Sequence, residues 1–206
     1  VRIFPDGREP SSKDRVGDSL AVERRLARGA RRNRRRQLSR KQRLTDRLVQ
    51  FDLLPQDAAA RAEIIKLDPY ALRATGVERV LTPHELGRVL FHMGQRRGFL
   101  SNRKSDGNDE ETGKIKPRIS ELRRLLDKKT LGQWLHEQKE QGKPIRFRGE
   151  EGDFFADRAM YLHEFDAIRA KQQPHHSLSA QDWDNIRNGN RDQQFDGLFF
   201  QRKLKP

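Results

Sequence analysis

"RRLARGARRNRRRQLSRKQR", Arg24–Arg43, crowds like charge into a stretch that contains neither proline nor an aromatic residue. No proline occurs anywhere from Leu20 to Phe51, which predicts one helix of about 32 residues, roughly 48 Å long. Asp18 or Ser19 is placed to cap it, and Glu23 falls in the first turn, where the helix dipole favours an acid. On a helical wheel Val22, Leu26, Ala30, Leu44 and Leu48 cluster on one side. Arg24, Arg28, Arg31, Arg32 and Arg35 fall on the other, so the apolar stripe is real but narrow. Gly29 interrupts the helix at a cost of about 1 kcal/mol relative to alanine. It reads either as a place where a partner's backbone comes close or as a cost that the helix bears.

The charge of this helix is almost unbalanced. Between Ala21 and Gln50, eleven arginines and one lysine stand against Glu23 and Asp46, a net of +10 out of +14 for the whole chain. Surface helices usually offset charge with pairs four residues apart, and here there is little to pair with. Arginine is favoured over lysine where a planar fork must meet phosphate oxygens in two places. A helix lying on a membrane would carry aromatic or bulky residues opposite the charge, and no aromatic precedes Phe51 after Leu20. The pattern predicts nucleic-acid binding through the backbone, with sequence entering little. Asn33, Gln37 and Gln42 are candidates for base edges but are outnumbered by phosphate-type ligands.

Composition sets the frame around this helix. The chain of 206 residues allows one or two domains. Hydrophobic residues make up 33% and charged residues 36%, so the core must be thin and an all-α architecture of extended shape fits best. Cysteine is absent, which excludes disulfides, thiolate metal sites and a cysteine nucleophile. No apolar run is long enough to span a bilayer, and Val1–Pro10 lacks the apolar centre of a signal peptide. The strand-like opening "VRIF" without an initiator methionine reads as part of something longer.

Further along, "LLP" (Leu53–Pro55) ends the first helix and Asp57–Ile65 reads as a shorter second one. Thr82–Phe99 is the clearest local signal. Thr82 and Glu85 form a capping box, Pro83 takes the first helical position, Gly98 ends the run, and Leu86, Val89, Leu90 and Met93 supply a buried face. Ser105–Lys116 is polar and acidic and reads as a mobile loop. Ile119, Leu122, Leu125 and Leu126 mark another amphipathic helix. Thr130 with Gln133 opens one that turns Leu131, Trp134 and Leu135 inward. Asp157–Gln172 reads as a helix with Met160, Tyr161, Phe165 and Ile168 on one stripe. Ser179 with Asp182 starts a last one containing Trp183 and Ile186, and "FDGLFFQRKLKP" at the end looks extended.

A second basic cluster, Gln95–Lys104, places Arg96 and Arg97 at a helix C-terminus, where cations suit the dipole. Phe99 could stack on a base, and Arg103 with Lys104 extends the charge. The six histidines lack metal-ligand spacing and read as surface residues. Carboxylate pairs such as Asp109 with Glu111 and Glu150 with Glu151 lie in polar stretches without burial. No Walker loop, nucleophile elbow or triad is present, so no catalytic centre is expected.

The segments "DSLAVERRLARGARRNRRRQLSRKQRL", "DPYALRATGV", "LTPHELGRVLFHMGQRRGFLSNRK", "DRAMYLHEFDAI" and "FFQRKLKP", in this order, resemble the type II CRISPR RNA-guided DNA endonucleases, most closely the compact type II-C branch. The resemblance implies three parts: 1–19 as a linker from a preceding nuclease segment, 20–54 as the arginine-rich bridge helix, and 55–206 as a helical portion of the recognition lobe. It implies guide-RNA phosphate contacts by Arg24, Arg25, Arg28, Arg31, Arg32, Arg35, Arg36, Arg40 and Arg43. It extends the nucleic-acid surface to Arg96, Arg97, Asn102, Arg103 and Lys104. The implied partners are guide RNA (crRNA with tracrRNA) and target DNA as a heteroduplex, with an acidic anti-CRISPR inhibitor as a further candidate. The parent would be a magnesium-dependent nuclease of the bacterial cytoplasm. Its nuclease centres would lie outside this stretch, so the stretch would bind without cutting and would need no cofactor of its own. Two alternatives stay open: a stand-alone basic RNA-binding protein of ribosomal type, and a docking module for an acidic protein. The first is disfavoured because the later helices carry cores and caps of their own.

Overall fold

In the computed structural model, which describes residues 19, 21–98, 110–143, 145, 154–190, 195 and 197–199, helices form where the sequence caps them. The order is α1 (Ala21–Gln50), α2 (Ala58–Lys66), α3 (Pro69–Thr75), α4 (Pro83–Gln95), α5 (Glu110–Leu126), α6 (Leu131–Glu140), α7 (Arg158–Gln172), a 3-10 turn (Gln173–His175) and α8 (Ala180–Asn188). Among the described residues there is no sheet; an isolated bridge joins Asn190 and Phe195. The expected all-α class is what the chain adopts. Residues 1–18 and 99–109 lie outside the described residues, as do Glu150, Glu151 and most of the extended-looking C-terminal segment.

The chain divides into two compact units, Val1–Gln42 and Arg43–Pro206, with the division falling within the span of α1. In the second unit, Leu44 and Leu48 at the end of α1 are buried and join a core with Leu53, Leu54, Leu86, Val89, Leu90 and Met93. Each such side chain contributes roughly 1.5–3 kcal/mol by leaving water. Two glycines on α4 make the packing possible. A Cβ at Gly87 would collide with the Leu53 carbonyl, and one at Gly94 with the Leu44 side chain. Spaced seven residues apart, they share a face of α4 that must stay flat.

All three expected capping boxes form, at Thr82 with Glu85, Thr130 with Gln133 and Ser179 with Asp182. The Glu85 carboxylate accepts from the Thr82 amide at 2.8 Å and from Arg79 Nη2 at 2.9 Å. Its hydrogen bond from Arg79, reinforced by those from Thr82, holds its pKa down at about 2 despite partial burial. A depressed carboxylate stabilises the fold above its unfolded pKa and loses that contribution as pH falls through the folded one. Stability from Glu85 should therefore be complete at pH 5 and drain away between about pH 4.5 and 2. Arg79 is half exposed, so screening holds the effect to about 1 kcal/mol. E85Q should lower the unfolding free energy by about that much at neutral pH and flatten the acid limb of a stability-versus-pH curve. An unchanged acid limb would exclude this assignment.

Several expectations are corrected. Glu110–Lys116, read from composition as loop, is helical and forms the first turns of α5. An acid-rich composition reports solvation, not backbone geometry, and the helix continues through Pro117 although proline supplies no amide donor to the Gly113 carbonyl and its ring crowds that oxygen. The remainder of that stretch, 105–109, lies outside the described residues. Helix α3 has no counterpart in the sequence reading; it is short, capped by Asp68 and opened by Pro69. Helix α4 ends at Gln95 with Arg96 as its cap, and Gly98, at φ +75°, follows beyond it. His92 is buried and not at the surface, and Glu164 is a fully buried carboxylate.

Helix α7 is tied to the α3–α4 connection through one buried side chain. Gln172 Oε1 accepts from the Leu81 amide at 2.9 Å, while its Nε2 donates to the Gly76 carbonyl at 2.6 Å and the Arg79 carbonyl at 2.7 Å. A single amide thus satisfies three backbone groups that would otherwise be stranded.

Candidate nucleic-acid interface

The first unit carries the charge. Arg24, Arg25, Arg28, Arg31, Arg32, Arg35 and Arg36 are all exposed on α1, and Arg34, which the resemblance did not single out, is exposed in the same way. Among the described residues, none of these eight side chains has a hydrogen-bond or ion-pair partner. The like-charge pairs Arg24–Arg28, Arg28–Arg32, Arg31–Arg35, Arg32–Arg36 and Arg36–Arg40 each cost a few tenths of a kcal/mol, together about 1–2 kcal/mol. The helix is therefore held against its own electrostatics, and anions along it would relieve the strain.

The apolar side of the same span is also uncovered. Leu26 is 68% exposed and Leu38 52%, and Val22 is exposed as well. The expected stripe is thus buried only at its C-terminal end, where Leu44 and Leu48 enter the second unit's core. At Gly29 an added Cβ would meet nothing within 4 Å, so the chain itself places no demand for glycine there.

The remaining residues fall in three groups. Arg40 is half-buried and Arg43 exposed, and both take part in interactions of their own, as does Arg97. Arg96 is exposed at the cap of α4, with Cζ 6.0 Å from the centroid of the Tyr70 ring. Asn102, Arg103, Lys104 and Phe99 lie outside the described residues.

Beneath Arg96 is a feature that no local pattern announces. Arg73 on α3 donates from Nε to Glu164 Oε1 and from Nη2 to Glu164 Oε2, both at 2.6 Å, and both side chains are fully buried. The Arg73 Cζ also stands 5.8 Å from the Tyr70 ring centroid and 5.4 Å from that of Tyr161. Arg73 Nη1 lies 3.5 Å from His92 Nδ1 on α4. Burial first, then the charges of Arg73, Arg96 and Arg88, hold the His92 imidazole neutral with a pKa of about 3. One guanidinium thereby links α3, α4 and α7.

Among the described residues no three His, Asp or Glu side chains converge as a metal site, and no helix is long and apolar enough to cross a membrane. No family model matches the chain. By sequence it is 30% identical over 147 residues to the CRISPR-associated endonuclease Cas9 of Campylobacter jejuni, a match covering 67% of this chain and 14% of the relative. In fold it is similar to Campylobacter jejuni Cas9 in a crystal structure with sgRNA and target DNA, at TM-score 0.66 and 23% identity, over 95% of this chain and 28% of that one. It is also similar to St1Cas9 in an assembly with sgRNA, target DNA and AcrIIA6, at TM-score 0.62 and 24% identity, over 80% and 20% of the two chains. A third likeness is to Corynebacterium diphtheriae Cas9, at TM-score 0.58 and 21% identity, over 98% and 24%. The chain thus spans about a seventh of the length of the curated relative.

Proposed function

Because the chain is a homologue of a segment of the type II Cas9 proteins, we propose that it is the part that holds guide RNA and the guide–target heteroduplex. The arginine side of α1 grips RNA phosphates. In RNA-guided effectors of this kind, base pairing reads the sequence while the protein recognises the backbone and shape of the duplex. The observation that carries the proposal is the run from Arg24 to Arg36, its arginines exposed, nearly unopposed in sign and, among the described residues, without hydrogen-bond or ion-pair partners. Guanidinium forks spaced along a helix are suited to bidentate phosphate contacts.

No step of this activity needs a metal or a bond-breaking group from these residues. The magnesium of a parent nuclease would be held by residues elsewhere. The same exposed charge makes the helix a docking surface for an acidic inhibitor protein. On this reading such a protein competes with RNA for the arginines, and simultaneous binding of both without mutual loss would contradict it.

Filter retention of a CRISPR guide RNA, an unrelated RNA and duplex DNA, each at two ionic strengths, tests the proposal. Both RNAs should be retained above duplex DNA, and retention should fall sharply at the higher salt. Preference for duplex DNA, or no retention of RNA at low salt, would refute it.

A further inference from the structure

Tyr70 stands where the buried ion pair meets the basic surface. Its ring is buried and sits edge-on to His92 at 5.0 Å between centroids. The Arg73 guanidinium approaches it at 5.8 Å, and that of Arg96 at 6.0 Å. The first of these cations is fixed by two short bonds to Glu164. The second is exposed and lies at the end of α4, within the cluster that the sequence marked as basic. Nothing in the packing of the core requires Arg96 to lie over this ring, since its aliphatic stem could extend into solvent.

We propose that Tyr70 is a positioning residue for nucleic-acid binding: its ring holds the Arg96 guanidinium in place for a backbone phosphate. A guanidinium held over an aromatic face keeps its in-plane N–H donors for an anion. It also loses less side-chain freedom on binding than a free arginine would. The Arg73–Glu164 pair serves by fixing the ring. This inference rests on the reading of the chain as an RNA-binding part.

The test is a double-mutant cycle on the full chain, with single-stranded RNA of about 20 nucleotides as probe. Circular dichroism and thermal melting confirm that each variant folds. R96Q should weaken RNA binding and make the salt dependence shallower by about one unit. Y70L should weaken binding roughly two- to five-fold, Y70F should restore it, and Y70L should add nothing in the R96Q background. Additive losses, a Y70L variant that binds like wild type, or an R96Q variant without effect would overturn the role of Tyr70 alone. Should Y70L fail to fold, R96K takes its place, keeping the charge without the planar face. It should lose a similar factor, and binding equal to wild type would overturn the proposal. A wild-type chain that retains no RNA would instead bring down the functional reading, and this inference with it.

Discussion

Replacing Glu164 by leucine with Arg73 left in place should lower the free energy of unfolding by about 3–5 kcal/mol. Both side chains are fully buried, and the two 2.6 Å bonds satisfy the guanidinium along one edge. E164L leaves a buried cation whose remaining neighbours are two aromatic rings and a neutral imidazole. The cost is that of an uncompensated charge, not of a lost contact. Removing both charges together, as in R73M/E164L, should cost much less, because an apolar pair of similar volume avoids desolvating either ion. Gly132 faces this pair so closely that a Cβ there would crowd Glu164 Oε1 and Arg73 Cβ, so G132A should destabilise in the same direction. Urea denaturation of the single and double variants separates the outcomes. An E164L variant within 1 kcal/mol of wild type would show that the pair is not holding α3 to α7 as described.

Neutralising one side of α1 should have the largest effect on binding. The variant R24Q/R28Q/R31Q/R35Q removes four exposed forks from one side of the helix. At about 1 kcal/mol or more for each charge-assisted phosphate contact, RNA affinity should fall on the order of a thousand-fold near 0.1 M salt. Each lost contact should also make the salt dependence shallower by about one unit. The same substitutions relieve the repulsions of Arg24 with Arg28 and of Arg31 with Arg35, so helicity without RNA should hold or rise. Binding and helix stability thus move in opposite directions, which a merely disrupted helix could not produce. Binding within a few-fold of wild type would assign RNA retention to other residues.

Much of this was legible in the residues, for identifiable reasons. The capping boxes, the proline-free span and the apolar stripes at helical spacing are local signals, and α1, α4, α6, α7 and α8 follow from them. The unbalanced arginines are a compositional signal that needs no tertiary knowledge. What stayed hidden depends on distance in sequence. Arg73 and Glu164 are 91 residues apart, and nothing around either residue marks it as half of a buried pair. His92 looked like any helix histidine until α3 was placed against it. Gly87 and Gly94 carry no local signal of their own, and only the nearness of Leu53 and Leu44 explains them. Helix α3 is too short for its periodicity to stand out. The first turns of α5 were obscured by polar residues that suit loop and exposed helix alike.

The central claim is that phosphate oxygens along α1 complete an electrostatic arrangement that the protein leaves open. Its most direct test is the slope of log affinity for RNA against log salt concentration, measured on the wild-type chain. With about eight phosphates of single-stranded RNA neutralised, the expected slope is about −6. A slope shallower than about −3 would mean that only three or so counterions are released, too few for a helix of guanidinium groups to be the seat of binding.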